Sequence, residues 1–286
     1  MSNQYGVLYV VATPIGNLED MTERGRRILS EVDLIAAEDT RHSKKLLMHL
    51  GNNIPMRAYH DHNECSAAEG LVELIQNGKN IALISDAGTP LISDPGYQIV
   101  KLAHDQNIKV IPVPGASAVI SALSVAGIAT EKFIFEGFLP EKQIARRKRL
   151  QDLSTESRTL VFYEAPHRII AFMADCEKAF GSSRMACVGR ELSKYFETVK
   201  LDTLSNLNLW LQNDDSQRKG EFVVVVQGND EAPAIDESEA VRILKILLKT
   251  SSLKQAVALA VEITGVKRNE LYQLALDMQG QVKSEK

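Results

Sequence analysis

Glu38, Asp39, Arg41 and His42 fall within five consecutive residues of a 286-residue chain, in the run EDTRHS. Carboxylates and an imidazole are groups that move protons, and a guanidinium grips phosphate or steadies developing negative charge. The same run also suits a helix start, with Asp39 or Thr40 as cap and Arg41 in an ion pair. A second run, SDAGTPLISDPG at 85–96, holds two Asp, two Gly, two Pro and a Thr. Glycine opens backbone conformations closed to other residues and proline fixes φ. The run therefore reads as a rigid loop that holds a small molecule against backbone groups. Its Asp86 and Asp94 either touch that ligand or brace the loop by accepting backbone hydrogen bonds.

Other polar runs recur along the chain. ATPIGNLED (12–20) is a loop with a tight turn, and YEAPHR (163–168), GREL (189–192) and KGEFVVVV (219–226) add polar groups beside strand-like residues. Together they suit a cleft between two α/β domains. KQIARRKR (142–149) has five basic residues and no acid. On a helix Lys142, Arg146 and Arg149 share one side with Arg147 nearby, which suits phosphates or a plain solvated face. In YHDHNE (59–64), His60, His62 and Glu64 lack the partners of a known zinc pattern, so no metal is expected. Neither the dinucleotide fingerprint G-x-G-x-x-G nor a P-loop occurs, which weighs against NAD and ATP.

These runs need elements to position them. Strand-like residues at 7–12, 34–37, 81–85 and 109–113 alternate with helical patterns at 22–31, 43–50, 67–77 and 96–106. That alternation predicts a doubly wound, mainly parallel α/β sheet. Gly51 and Gly78 sit where helices should end. In an open α/β sheet ligands bind beyond the carboxyl ends of strands, where EDTRHS and SDAGTPLISDPG both lie. A small apolar helix at 116–128 leads to a second α/β domain with strands at 133–137, 159–163, 184–188 and 222–226 in a mixed sheet. Its helices are expected at 144–153, 167–180 and 203–212, with Pro166 starting the second. NDEAPA at 229–234 reads as a linker. Three helices follow, at 236–248, 252–263 and 267–279, with Gly265 before the third. They suit either a helix-turn-helix module or a dimerisation bundle. The expected domains are thus 1–115, 116–229 and 230–286.

Composition narrows the function classes. Hydrophobic residues make up 44% and charged residues 24%, with a net charge of −4. That charge argues against binding nucleic acid by bulk attraction but leaves room for local basic patches. No 18-residue apolar run or signal peptide is seen, and three scattered cysteines fit a reducing cytoplasm.

In combination LYVVATPIGNLEDMT, AAEDTRHS, ISDAGTPLISDPG, VPGAS, FYEAPHR, GREL and GEFVVVV resemble the motifs of the small-subunit ribosomal RNA methyltransferases of the tetrapyrrole methylase superfamily. The resemblance runs in order from residue 7 to about 280. It implies two α/β domains with a cofactor cleft between them, and a small C-terminal three-helix module. The implied cofactor is S-adenosyl-L-methionine. The implied reaction is 2′-O-methylation of a cytidine ribose in the decoding region of small-subunit ribosomal RNA, by a cytoplasmic homodimer. Cofactor contacts carried over are Pro14 and Ile15; Gly88, Thr89 and Ile92; Ser117 and Ala118; Tyr163 and Glu164; Gly220 and Glu221. The catalytic candidates are Glu38, Asp39, Arg41 and His42, with Glu164, Arg168 and Arg190 as second choices. RNA or the assembled small subunit would meet Lys142, Arg146, Arg147, Arg149, Lys267 and Arg268. Where the superfamily carries Gly-Asp-Pro this chain has Thr89 in place of the acid, and its first loop has less glycine, which points away from a tetrapyrrole substrate. The alternatives are a methyltransferase of the same superfamily acting on a small molecule or protein, and a non-catalytic ribosome-binding module.

Overall fold

The computed structural model describes residues 5–61, 63–229, 237–264, 266 and 268–284. The chain divides into two compact units, one ending at Gly228 and the other beginning at Asn229. The first unit holds two α/β lobes.

In the first lobe β1 (Val7–Val11), α1 (Glu23–Glu31), β2 (Leu34–Ala37), α2 (Thr40–His49), β3 (Met56–Ala58), α3 (Glu64–Gln76), β4 (Ile81–Ile84), α4 (Tyr97–Asp105) and β5 (Lys109–Val113) alternate. The strands form a fully parallel sheet in the order β3-β2-β4-β1-β5. Both faces are covered, as strand period two requires. Ile81 and Leu83 of β4 join a core with α3 and α4, whereas Ala82 and Ile84 join the opposite core with α1 and α2. Thr22 caps α1 by accepting from the Gly25 N–H at 3.0 Å. Beyond α2, Gly51 at φ 66° lets its own N–H reach the Met48 carbonyl and the Asn52 N–H reach Leu47, closing the last turn. β3 escaped the sequence reading because it is a three-residue edge strand with little buried surface.

The loops after β1 and β4 leave adjacent strands toward opposite faces of the sheet, since α1 and α4 lie in different cores. This is the switch point at which open α/β sheets bind ligands. Two backbone hydrogen bonds, Thr13 N–H to Gly88 O at 2.8 Å and Gly88 N–H to Thr13 O at 3.1 Å, fasten the loops together.

The second lobe comprises α5 (Ala118–Val125), β6 (Phe133–Phe138), α6 (Gln143–Asp152), β7 (Thr159–Glu164), α7 (Ile169–Phe180), β8 (Met185–Arg190), β9 (Thr198–Thr203), α8 (Leu204–Asn213) and β10 (Phe222–Val226). Its sheet is mixed, in the order β6-β7-β10-β8-β9, with only β6 and β7 parallel. Helices α6 to α8 cover one face, through Leu150, Phe172 and Leu207 among others. Helix α5 covers the other, and Ile15 of the first lobe packs into that same core. β9 was not expected, because TVKLDT mixes polar and apolar residues as an edge strand does. Helix α7 begins at Ile169, later than Pro166. Residues 166–168 instead form a turn in which the Arg168 N–H reaches the Ala165 carbonyl at 3.0 Å.

The second unit contains α9 (Glu237–Leu247), α10 (Leu253–Thr264) and α11 (Arg268–Ser284). Leu244, Val257, Ala260 and Leu271 form its core. Gly265 lies outside the described residues.

Candidate active site

The loop after β4 is held from three sides. The Thr89 hydroxyl donates to the Ala116 carbonyl at 3.1 Å, which ties it to the loop after β5. The buried Tyr59 hydroxyl donates to Glu64 Oε1 at 3.1 Å and accepts from the Ile99 N–H at 3.2 Å. The same Oε1 accepts from Gly96 and Gln98 at 2.9 and 3.1 Å, so Glu64 closes the N-terminus of α4. That accounts for Tyr59 and Glu64 of YHDHNE in structural terms; His62 lies outside the described residues. The loop also carries strain. Gly88 has φ 81°, as expected of glycine, but Leu91 and Ser93 have φ 73° and 67°. A non-glycine residue holds such a conformation only when its surroundings over-determine it.

Between the lobes this loop forms one wall of a cavity of about 400 Å³. Ile15, Gly88, Thr89 and Ile92 line it from the first lobe, and Ser117 and Ala118 from the start of α5. Tyr163, Glu164 and Glu221 line it from the second lobe. Pro14 and Gly220 do not. Pro14 faces an adjoining cavity of about 320 Å³. Gly220 acts on shape: its φ is 95°, and a Cβ there would lie 2.4 Å from the Glu191 carboxyl group. That carboxylate accepts from the Glu221 N–H at 2.9 Å, fixing the entry to β10.

The sequence reading missed Phe138, Leu192, Phe222 and Val223 on the same wall. Phe222 and Val223 were legible as strand but not as ligand-facing, and Phe138 is an exposed aromatic whose ring lies 5.5 Å from that of Tyr163. Burial pushes the Tyr163 phenol up to about 12, so it stays neutral. Asp94 also lines the cavity. Burial, then the charge of Glu38, raises its carboxyl to about 7.

EDTRHS stands beside this cavity rather than in it. Asp39 caps α2 by accepting from the Arg41 N–H at 2.8 Å, and the Arg41 guanidinium grips the same carboxylate at 3.2 and 2.9 Å. Those bonds hold the Asp39 carboxyl at about 2, which makes it a weak base. Arg41 points outward, its side chain 91% exposed. Glu38 is half-buried, and desolvation followed by the nearby Asp86 charge raises its carboxyl. His42 faces the adjoining cavity together with Lys45, Asp86 and Lys194. Of the second choices, Arg168 is spent on Glu164, with Nε 3.0 Å from Oε1, and on the Leu139 carbonyl at 2.7 Å. Arg190 donates to the backbone of Lys219 and Phe196 at 2.7 and 2.9 Å.

The basic run on α6 is mostly committed to acids. Arg146 is buried, contrary to its assignment to an RNA-facing side. Its Nη2 and Nε lie 2.7 and 3.0 Å from Asp175 Oδ2, on a carboxylate that is itself buried. It faces the α6–α7 contact because it shares the inward side of the helix with Leu150. Arg147 reaches the other oxygen of Asp175 at 2.6 Å but stays half-exposed, and Arg149 grips Glu136 at 2.7 and 2.8 Å. Lys142 is exposed at the start of α6. Arg268 is exposed at the first turn of α11, and Lys267 lies outside the described residues. Among the described residues no helix is long and apolar enough to cross a membrane.

Two parallel-to-mixed α/β lobes with a cleft at the switch point define a class, and sequence comparison identifies it. The pattern of the tetrapyrrole (corrin/porphyrin) methylases matches residues 7–208, and that described as the RsmI C-terminal HTH domain matches residues 234–279. The chain belongs to the tetrapyrrole methylase family. It is 52% identical to ribosomal RNA small subunit methyltransferase I of Pseudomonas aeruginosa, over 96% of this chain and 98% of that protein. The proteins of the same name from Pasteurella multocida and Synechocystis are 50% and 45% identical, each over 99% of its own length. Solved structures share the fold at low identity. A uroporphyrin-III-C-methyltransferase from Thermus thermophilus superposes with TM-score 0.55 at 17% identity, covering 78% of this chain and 94% of that one. A diphthine synthase does so with TM-score 0.59 at 15% identity, covering 78% and 90%.

Proposed function

We propose that this chain transfers a methyl group from S-adenosyl-L-methionine to the ribose 2′-hydroxyl of a cytidine in the decoding region of small-subunit (16S) ribosomal RNA. The observation that carries the reading is the inter-lobe cavity, whose walls take nine of the eleven residues singled out from the motifs. The relatives named as ribosomal RNA small subunit methyltransferase I support RNA as the substrate.

The residues suit this cofactor. Ile15, Ala118, Leu192 and Val223 give the apolar walls that a nucleoside and a thioether chain need, while Ser117, Glu164 and the backbone around Gly88 give a few fixed polar groups. A volume of about 400 Å³ lies within the usual range for small-ligand pockets. Bound there, the cofactor supplies an electrophilic methyl group on a positively charged sulfur. The protein's task is then to align the acceptor and exclude water. Of the four catalytic candidates, His42 is the one that faces a cavity, where with Lys45 it would hold the RNA backbone next to the target ribose. Glu38 acts through the charge it sets beside Asp86 and Asp94, and the Asp39–Arg41 pair holds the start of α2.

RNA, as part of an assembled subunit, would meet Lys142, Arg147 and Arg149 on the first unit and Lys267 and Arg268 on the second. Residues 232–286 carry eight basic and seven acidic residues, so recognition there rests on shape more than on charge. A homodimer fits the exposed apolar side chains on and before edge strand β9, namely Tyr195, Phe196, Val199 and Leu201; sedimentation tests this, and ribosomal RNA as substrate would place the protein in the cytoplasm. Incubating the protein with labelled cofactor and unmodified small subunits, then mapping the labelled nucleotide, tests the activity. Label at a base or on a ribosomal protein would refute the 2′-hydroxyl. Removal of residues 230–286 should weaken subunit binding and spare cofactor binding.

A further inference from the structure

Strand β6 reaches the inter-lobe cavity through a β-bulge. Phe135 pairs with Val161 of β7, but Gly137 pairs with the next residue, Phe162, so Glu136 is an extra residue on the β6 side. Strict alternation would send Phe135 and Phe138 to opposite faces of the sheet. The bulge shifts that alternation by one and brings both rings beside Tyr163, at centroid distances of 4.9 and 5.5 Å. Gly137 takes φ 63° in the bulge. A Cβ there would lie 3.0 Å from Ser93 Oγ on the loop after β4, so the bulge also closes against the first lobe.

The two rings have different surroundings. Phe135 packs against the core under α5. Phe138 lines the cavity yet is 56% exposed. Its backbone is held on both sides. Phe138 stays in register with Tyr163, and the carbonyl of the next residue, Leu139, accepts from Arg168 Nη2 at 2.7 Å. A fixed ring left open to water offers a flat apolar face to whatever enters the cavity. Burial also grades the cavity walls: Leu192, Phe222 and Val223 are buried and make its floor, whereas Ile92 and Phe138 are exposed and stand at its mouth. The floor suits the cofactor, and the mouth is where an acceptor must enter. The chain beyond Phe138 carries the basic run, and Arg149 returns from α6 to grip Glu136 within the bulge. Phosphates drawn to that run would arrive close to Phe138.

We propose, resting on the methyl-transfer reading above, that Phe138 is a substrate-binding residue on which the base of the acceptor nucleotide stacks. A ribose that stays within a stacked helix cannot bring its hydroxyl into a cavity between two lobes, so the acceptor nucleotide leaves its stack. Its base then needs a new aromatic face, and Phe138 supplies one at the point of entry. The stack carries no hydrogen bond, so it holds the nucleotide without reading which base it is. Tyr163 supports the platform from behind, its ring tilted 59° to that of Phe138.

The test uses the full chain with unmodified small subunits and labelled S-adenosyl-L-methionine. Phe138→Ala should lower single-turnover methyl transfer at limiting subunit concentration by about 10–100-fold, the effect of losing one base–aromatic stack. Calorimetric cofactor affinity should stay within about threefold of wild type, which also shows that the variant folds. Phe138→Leu keeps apolar bulk without an aromatic face and should fall almost as far as Phe138→Ala. Phe138→Tyr keeps the face and should stay at least about tenfold above Phe138→Ala. Transfer by Phe138→Ala within about threefold of wild type would overturn the proposal. So would a wild-type rate in Phe138→Leu, which would make the residue apolar packing only. A collapse of cofactor affinity in Phe138→Ala would overturn it too, because the ring would then hold the cofactor and not the acceptor. If the wild-type protein methylates no subunit at all, the underlying activity reading fails, and that result is distinct from an unimpaired Phe138→Ala.

Discussion

Arg146 offers the sharpest separation of a structural role from an RNA-binding one. Its side chain is 5% exposed and that of Asp175 is 1% exposed. Removing one member of a buried pair leaves the other charged and desolvated, at a cost of about 3–5 kcal/mol. In Arg146→Met, Asp175 keeps Arg147 at 2.6 Å on one oxygen and loses both contacts on the other. The cost therefore falls at the low end, about 3 kcal/mol. For a folded unit of this size each kcal/mol moves Tm by about 2–4 °C. Arg146→Met should thus melt roughly 6–12 °C below wild type. Asp175→Asn strands Arg146 and should sit near the high end, at roughly 10–20 °C. Calorimetry of the full chain measures both, with subunit binding followed at a temperature where all variants are folded. At that temperature Arg146→Met should bind subunits within about threefold of wild type, because a buried guanidinium releases no counterions on binding. A Tm within 2 °C of wild type together with a tenfold weaker subunit complex would refute the argument and return Arg146 to the RNA-facing set.

Tyr59→Phe removes a hydroxyl that serves both Glu64 and the Ile99 N–H, and should cost about 1–3 kcal/mol in urea unfolding. Gly220→Ala forces a Cβ toward the Glu191 carboxyl at φ 95° and should cost about 1–3 kcal/mol, with weaker cofactor binding by calorimetry. Asp94 holds its proton more tightly folded than unfolded, since its carboxyl is raised from 3.8 to about 7. Between those values the native state carries the extra proton, so its contribution to stability is lost as pH rises through the window. Asp94→Asn should therefore melt with wild type near pH 4 and above it near pH 8, and equal Tm values at both would refute the raised proton affinity.

Much of this was legible in the chain because local signals agreed. β4 reads as a buried strand and feeds a loop whose Gly88 and Pro90 announce a tight turn, and the alternation of strands with helices fixes the first sheet. β3 and β9 were not legible, since edge strands bury little and need no apolar pattern. The fate of the basic run was hidden for another reason. KQIARRKR shows which residues are charged but not where Asp175 sits, 29 positions beyond Arg146, and that acid decides which arginine turns inward. EDTRHS shows the same limit: its density of charge is spent partly on capping α2, and His42 and Ser43 are the residues of the run that line the adjoining cavity.

The loop after β4 joins these observations. Leu91 and Ser93 hold conformations that cost on the order of 1–3 kcal/mol each for a side-chain-bearing residue. Such strain persists only where neighbouring bonds outweigh it, and here they are identifiable: Thr13 on Gly88, Thr89 on Ala116, and Glu64 on Gly96 and Gln98. Glu64 is itself placed by Tyr59, so a residue pair at the start of α3 governs how the cavity wall is shaped. A loop needed only as a connector would relax. One that must keep an ionisable side chain among like charges, where repulsion would push it toward water, has to be clamped at both ends. Loosening the clamp at Tyr59 should therefore do more than lower stability. It should let Asp94 move away from Glu38 and Asp86 and lower its proton affinity, so a carboxyl-carbon resonance titrating near pH 7 in the wild type should titrate at lower pH in Tyr59→Phe, while a loop braced for shape alone would leave it in place.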